Sequence, residues 1–251
     1  MNTILIALII SGFLFGAVWF GMLLRRFLPE HHLSSDTKDA VKLAMGLVAT
    51  MAALLLGLLV SSAKGTYDAQ RNQVIQMAAK IAVLDRVLVL YGPEAADVRA
   101  QFRAAVEEAV RRVWFQAGSV PLNKLADHHA GEAVHGAIQQ LTPHNDEQRL
   151  LKSQAVSLGM EIGEMRSLMI AQSVASISRP LLVVVVCWLV VIFFSFSLLA
   201  PPNATATLAL VVSAFSVASA IFLILELDRP FGGLIQIPSE PLLNALNLPA
   251  R

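Results

Sequence analysis

Four uncharged apolar runs divide this chain, two before and two after a polar block: Ile4–Leu24, Leu43–Ala63, Leu181–Leu199 and Ala204–Leu225. Each is long enough to cross about 30 Å of hydrocarbon at about 1.5 Å of rise per residue. None contains Lys, Arg, Asp or Glu. The pattern predicts an all-α membrane protein with four transmembrane helices in a 2 + 2 arrangement. Residues 1–63 carry helices one and two, and 64–179 form a helical extramembrane block. Residues 180–226 carry helices three and four, and 227–251 form a C-terminal tail. The block is too large for a loop and must fold outside the bilayer.

Inside the block the apolar period changes to that of amphipathic helices. Val74, Met77, Ala78, Ile81, Leu84 and Leu88 recur at intervals of three and four until Tyr91-Gly92-Pro93 stops the pattern. A second helix is predicted from about Glu94 to Trp114, with Val98, Phe102 and Val106 on one side and Arg99, Arg103 and Arg111 on the other. Gly118 to Leu122 reads as a turn, and Asp127–Leu141 has a weaker helical signal. A long helix is expected from about Asp146 to Ser176, running unbroken into the third span, as the second span runs into the block. Pro29 ends helix one, and Ser34-Ser35-Asp36 caps the next helix. Pro201-Pro202-Asn203 is a hairpin so short that spans three and four must be antiparallel neighbours. Nothing reads as a strand.

Composition agrees with this division. The chain is 56% hydrophobic and 15% charged, against roughly 25% charged for a soluble domain. A net charge of +1 provides no field to recruit nucleic acid. Cys187 is the single cysteine, so no intrachain disulfide forms. The first run reads as an uncleaved helix, because Arg25-Arg26 follow it where a signal peptide would have small residues. With four spans, both termini and the block share one side. That side carries Lys64, Arg71, Lys80, Arg166, Arg179 and Arg229 near the membrane, against Arg25, Arg26, Lys38 and Lys42 opposite. The balance favours a cytoplasmic block by a narrow margin.

Candidate chemistry is sparse. His128, Glu132 and His135 would share a helix face beside Asp127 and His129, but Gly131 and Gly136 interrupt it and the pattern of a zinc helix is absent. A solvated turn is the preferred reading, and neither a metal nor a cofactor is expected. His31-His32 form a second pair at a membrane edge. No phosphate loop, nucleophile elbow or useful carboxylate pair is present, so no enzyme is expected. The second span carries Ala49, Ala53, Gly57 and Ser61 at strict four-residue spacing, a smooth stripe suited to close helix packing in lipid. Segment one carries Gly12, Gly16 and Gly21. Glu226 and Asp228 close the fourth span before Arg229, either as an interfacial anchor or as a charged clasp at a pore exit.

Several stretches resemble the bestrophin-like family of bacterial membrane proteins, a domain of unknown function. These are Ala53 to Asp68, Leu84-Asp85-Arg86 with Tyr91-Gly92-Pro93, Ala200 to Asn203, and Leu223 to Phe231. The likeness covers essentially the whole chain and extends distantly to true bestrophins, pentameric anion channels with cytosolic termini. It implies a homo-oligomer in the bacterial inner membrane, with the lipid bilayer and small anions as partners and the block in the cytoplasm. In bestrophins, apolar residues four apart on the second helix, just before an arginine, form the pore constriction. Matching the tyrosines puts Ser62 at the arginine position and selects Leu54 and Leu58, with Thr50. Matching Lys64 to the arginine instead selects Leu56 and Val60. Asp228 to Gly232 is similar to a bestrophin segment followed by calcium-holding acids, but Gly233-Leu234-Ile235 follows here. A channel or pore-like oligomer is therefore the first functional expectation. The alternative is a non-conducting membrane scaffold or sensor whose block binds a partner. Symmetry of the purified oligomer would discriminate the two.

Overall fold

The computed structural model describes residues 3–27, 35–116, 128–172, 178–201 and 203–246. Its helices are α1 Thr3–Arg25, α2 Ser35–Tyr91, α3 Ala96–Gln116, α4 His128–Gln140, α5 Asp146–Gln172, α6 Arg179–Leu199, α7 Ala204–Leu227 and α8 Glu240–Ala245. Among the described residues there is no strand. Four helices among the described residues are long and apolar enough to cross a membrane: α1, α2, α6 and α7. The chain divides into two compact units. One comprises Met1–Thr66 and Ser176–Asp228, the other Tyr67–Ala175 and Arg229–Arg251.

In the first unit α1 packs against both α6 and α7. Gly21 sets the closest approach. A Cβ built there would lie 2.0 Å from Ser197 Oγ and 2.8 Å from the Phe194 carbonyl oxygen. Ser197 Oγ donates to that carbonyl at 2.9 Å, and Phe20 stacks on Phe194 at 5.9 Å. These contacts join the C-terminal turns of α1 and α6, so the two helices run parallel. The short connection to α7 works as its prolines predict. Ala200 is extended ahead of Pro201. Asn203 caps α7, its Oδ1 accepting from Ala206 N at 2.8 Å.

The second unit is a helical core built on the face expected of α2. Val74, Met77, Ala78, Ile81, Leu84 and Leu88 are all buried. Gly92 ends α2 with φ 119°, a conformation that side chains rarely tolerate, and Pro93 opens a short 3-10 turn. The Tyr91 carbonyl, freed at the helix end, accepts from Gln148 Nε2 at 3.0 Å. Asp85 and Arg99 then tie α2 to α3 in a two-pronged pair, Nε to Oδ1 and Nη2 to Oδ2, each at 2.9 Å. That bond raises the Arg99 pKa further. Lys80 reaches Glu161 on α5 and holds its carboxyl below the usual range.

Asp85→Asn should cost about 1–3 kcal/mol, the usual loss for a charge-assisted bond with a mostly buried partner. The exchange Asp85→Arg with Arg99→Asp should recover part of it. Thermal melts of the two singles and the double exchange test this. Additive losses, with no coupling between the sites, would mean that the pair contributes nothing.

Three features differ from expectation. The third span is not continuous with the preceding helix, because Ser178 is extended and α6 begins at Arg179. Pro180 explains the break: deeper in a helix its ring would clash with the carbonyl four residues back, so it fits only the first turn. The weak signal over Asp127–Leu141 becomes a full helix, α4. Val134, Ile138 and Leu141 are buried at a regular spacing against the core, which outweighs the propensity cost of Gly131 and Gly136. Finally, the stretch after Asp228 joins the second core through Phe231, Ile237, Leu242 and Leu246. Trp114 meets Phe231 edge-on at 5.3 Å and donates its Nε1 hydrogen to the Ile237 carbonyl at 2.6 Å.

Candidate functional site

The candidate site is the membrane segment of α2. Its apolar length makes it a helix, and its helical period sorts the side chains into ridges. Leu43, Leu47, Met51, Leu54 and Leu58 recur at four, four, three and four residues, and all are exposed. Leu54 is 70% exposed and Leu58 57%. The opposing face holds Ala52, Leu59 and Ala63, all buried. Leu56 and Val60, the residues of the other register, are half-buried. The exposed ridge is therefore the one selected by matching the tyrosines.

Beside the leucine ridge lies the small-residue stripe. Ala53, Gly57 and Ser61 are exposed and Ala49 is half-buried. A Cβ at Gly57 would meet nothing within 4 Å, and the same holds at Gly46. The stripe is thus open within the chain, and the close approach in this unit falls at Gly21 instead. Neither Gly12 nor Gly16 has an atom within 4 Å of an added Cβ.

Thr50, Gly57 and Lys64 follow one another at seven residues, so they lie within about 20° per step of a line along the helix. Thr50 Oγ1 is exposed and donates to the Gly46 carbonyl at 2.9 Å. Lys64 is exposed, about 15 Å along the axis from Leu54. Tyr67, next on α2, donates its hydroxyl to the Gln236 carbonyl at 3.4 Å.

At the end of α7, Glu226 is 2% exposed, and its neighbours Ile224, Leu225 and Leu227 are buried as well. These four consecutive buried residues span a full helical turn. Asp228 is half-buried and Arg229 exposed. The expected clasp residues therefore differ: one carboxylate is enclosed, the other partly open. Burial of Glu226 was not legible from the sequence, because a single carboxylate at the end of an apolar run carries no signal of what packs around it.

The histidine cluster splits. Asp127 lies outside the described residues, as do the side chains of His128 and His129, and so does the pair His31-His32. Glu132 is exposed, and His135 Nε2 lies 2.9 Å from Gln139 Nε2 in a shared hydrogen bond. Among the described residues no group of three or more His, Cys, Asp or Glu could hold a metal ion.

An α-helical chain with four apolar helices of membrane-crossing length is an all-α membrane protein. A family model, the Bestrophin-like domain, matches residues 12–242. The chain belongs to the bestrophin-like family. No curated protein and no solved structure matches it.

Proposed function

We propose that this protein forms a homo-oligomeric pore for small anions in the bacterial inner membrane, with its second unit in the cytoplasm and no enzymatic step. One observation carries the reading. On α2, a ridge of large apolar residues and a groove of small ones lie side by side, and the chain itself covers neither. Copies of α2 around an axis would use both: the small groove seats a neighbouring helix, and Leu54 and Leu58 form a dry constriction. Such constrictions gate by dewetting. Lys64 would then ring one mouth with positive charge, which suits an anion path. Membership of the bestrophin-like family supports the same reading. Asp228, more open than Glu226, is the better candidate for a charge at the exit.

Conductance in planar bilayers tests this. Leu54→Ala and Leu58→Ala should widen and wet the constriction, raising single-channel conductance severalfold. Lys64→Glu should lower the anion-to-cation permeability ratio at least tenfold. Gly57→Leu should leave the single chain folded, because nothing within 4 Å opposes it, yet reduce the yield of oligomer on size exclusion. A reporter that works only in the periplasm should stay silent when fused after Arg251. Electron microscopy should reveal a ring with α2 at its axis. Silent bilayers for wild type and alanine variants alike, with intact oligomer recovered, would move the reading to a scaffold or sensor.

A further inference from the structure

The second unit contains an open-mouthed cavity of about 520 Å³. Met77, Phe102, Val134, Ile162, Met169 and Leu242 line it, one or more from each of α2, α3, α4, α5 and α8. Glycines make part of the wall. Gly136 on α4 and Gly163 on α5 both border the space, and an added Cβ at either would meet nothing within 4 Å. Glycine is disfavoured in helix interiors, so bare backbone facing an unfilled volume is a poor way to build a core. A well-packed interior would put side chains there.

The volume falls within the range of about 300–1,000 Å³ typical of pockets that bury most of a small ligand. The walls are apolar apart from Glu108, Arg112, Glu132, His135 and Arg166. Arg111 and Arg112 hold Glu108, and the Arg166 Nη1 atom sits 3.5 Å from the Cβ position of Gly131. Two carboxylates, two guanidiniums and an imidazole offer donors and acceptors of both signs, without a net charge to select an ion. Met77, Met160 and Met169 supply unbranched, adaptable surface, which suits a ligand with many rotatable bonds. In a membrane protein, acyl amphiphiles are the apolar solutes at hand.

We propose that this cavity binds the hydrocarbon chain of a single-chain amphiphile, a fatty acid or lysolipid, with its polar head among the mixed charges at the rim. The chain supplies the affinity, and the head adds little discrimination. This inference does not depend on whether the protein conducts.

Trp114 borders the cavity and provides the readout. The chain has three tryptophans, so Trp19→Phe with Trp188→Phe leaves Trp114 alone. In the full chain, held in phosphatidylcholine nanodiscs, 9,10-dibromostearate should quench Trp114 saturably, removing at least half of its emission. Its methyl ester should bind within about threefold of the acid. Gly163→Leu fills the space and should weaken quenching at least tenfold without lowering the melting temperature. Gly136→Leu, on a different helix, should do the same if the first variant folds poorly. Saturable quenching by brominated lysophosphatidylcholine alone would assign the chain to a lysolipid. Quenching that never saturates, or that both glycine variants leave unchanged, reports probe dissolved in the bilayer and would overturn the site. Absence of quenching by either amphiphile would overturn it as well.

Discussion

Gly21→Leu is expected to leave little folded protein. The α1–α6 contact has no room for a side chain. Even a bare Cβ would fall 2.0 Å from Ser197 Oγ, 2.8 Å from the Phe194 carbonyl oxygen and 3.2 Å from the Leu198 amide nitrogen. The first atom can rotate away; the other two are backbone and cannot move unless the helices separate. Overpacking a tight core usually costs about 1–3 kcal/mol, and a leucine against backbone belongs at or above the upper end. Separation would also undo the Phe20–Phe194 stack. In lipid nothing replaces this contact, because helix association there rests on close packing rather than on hydrophobicity. Gly21→Ala should be milder, and Ser197→Gly should rescue it only in part, since the Phe194 carbonyl remains. Unfolding followed in detergent by circular dichroism, alongside monodispersity on size exclusion, measures the series. A Gly21→Leu protein as stable as wild type would mean that the helices do not meet as described. Gly57→Leu is the internal comparison: the same substitution, on a surface where the chain has no atom in the way.

Phe231→Ala should destabilise the second unit by about 3–5 kcal/mol, the usual cost of truncating a buried aromatic residue. Phe231 is 2% exposed and meets the Trp114 ring edge-on. Its removal opens a void beside the tryptophan and loosens a closed set of bonds. Trp114 Nε1 donates to the Ile237 carbonyl at 2.6 Å, and the Ile237 amide donates to the Pro230 carbonyl at 2.7 Å. Trp114→Phe should cost less, about 1–3 kcal/mol, mainly by leaving the buried Ile237 carbonyl without its donor. The two effects should fall short of additive in the double variant, because the residues touch. A melting temperature that is unchanged in Phe231→Ala would show that the stretch after Asp228 does not belong to this core.

Much of the fold was legible because it depends on local properties. The amphipathic face of α2 from Val74 to Leu88 follows from spacing alone, as does its stop at Tyr91-Gly92-Pro93. The long helix from Asp146 was likewise readable, and its first turn is fixed by Asn145 Oδ1 accepting from Gln148 N at 2.7 Å. Pro180 was readable as a first-turn residue, yet its consequence, the break at Ser178, was missed. No Gly or Pro lies between Gln172 and Arg179, so the sequence pattern offers no other signal to end the helix there. The core role of Phe231, Ile237, Leu242 and Leu246 was missed for another reason. Their spacing follows no single period, and their partners lie more than a hundred residues earlier. Of the candidate site, the small-residue stripe was legible from helical spacing, whereas Leu54 and Leu58 were singled out through the resemblance, with Leu56 and Val60 as the other register. Which of them the chain would leave open was not legible.

The sequence by itself determined that this is an all-α membrane protein and where its four apolar spans lie. Hydrocarbon thickness and the exclusion of charge act on each segment independently, so a linear reading suffices. Tertiary structure alone decided which glycine is a contact and which is open surface. Gly12, Gly16, Gly21 and Gly57 look alike in the chain, and only Gly21 meets backbone from another helix. It also decided that Glu226 is enclosed while Asp228 is partly open, and that five helices leave a cavity between them. Burial and empty space are properties of what several distant segments do together, and no one of those segments encodes them.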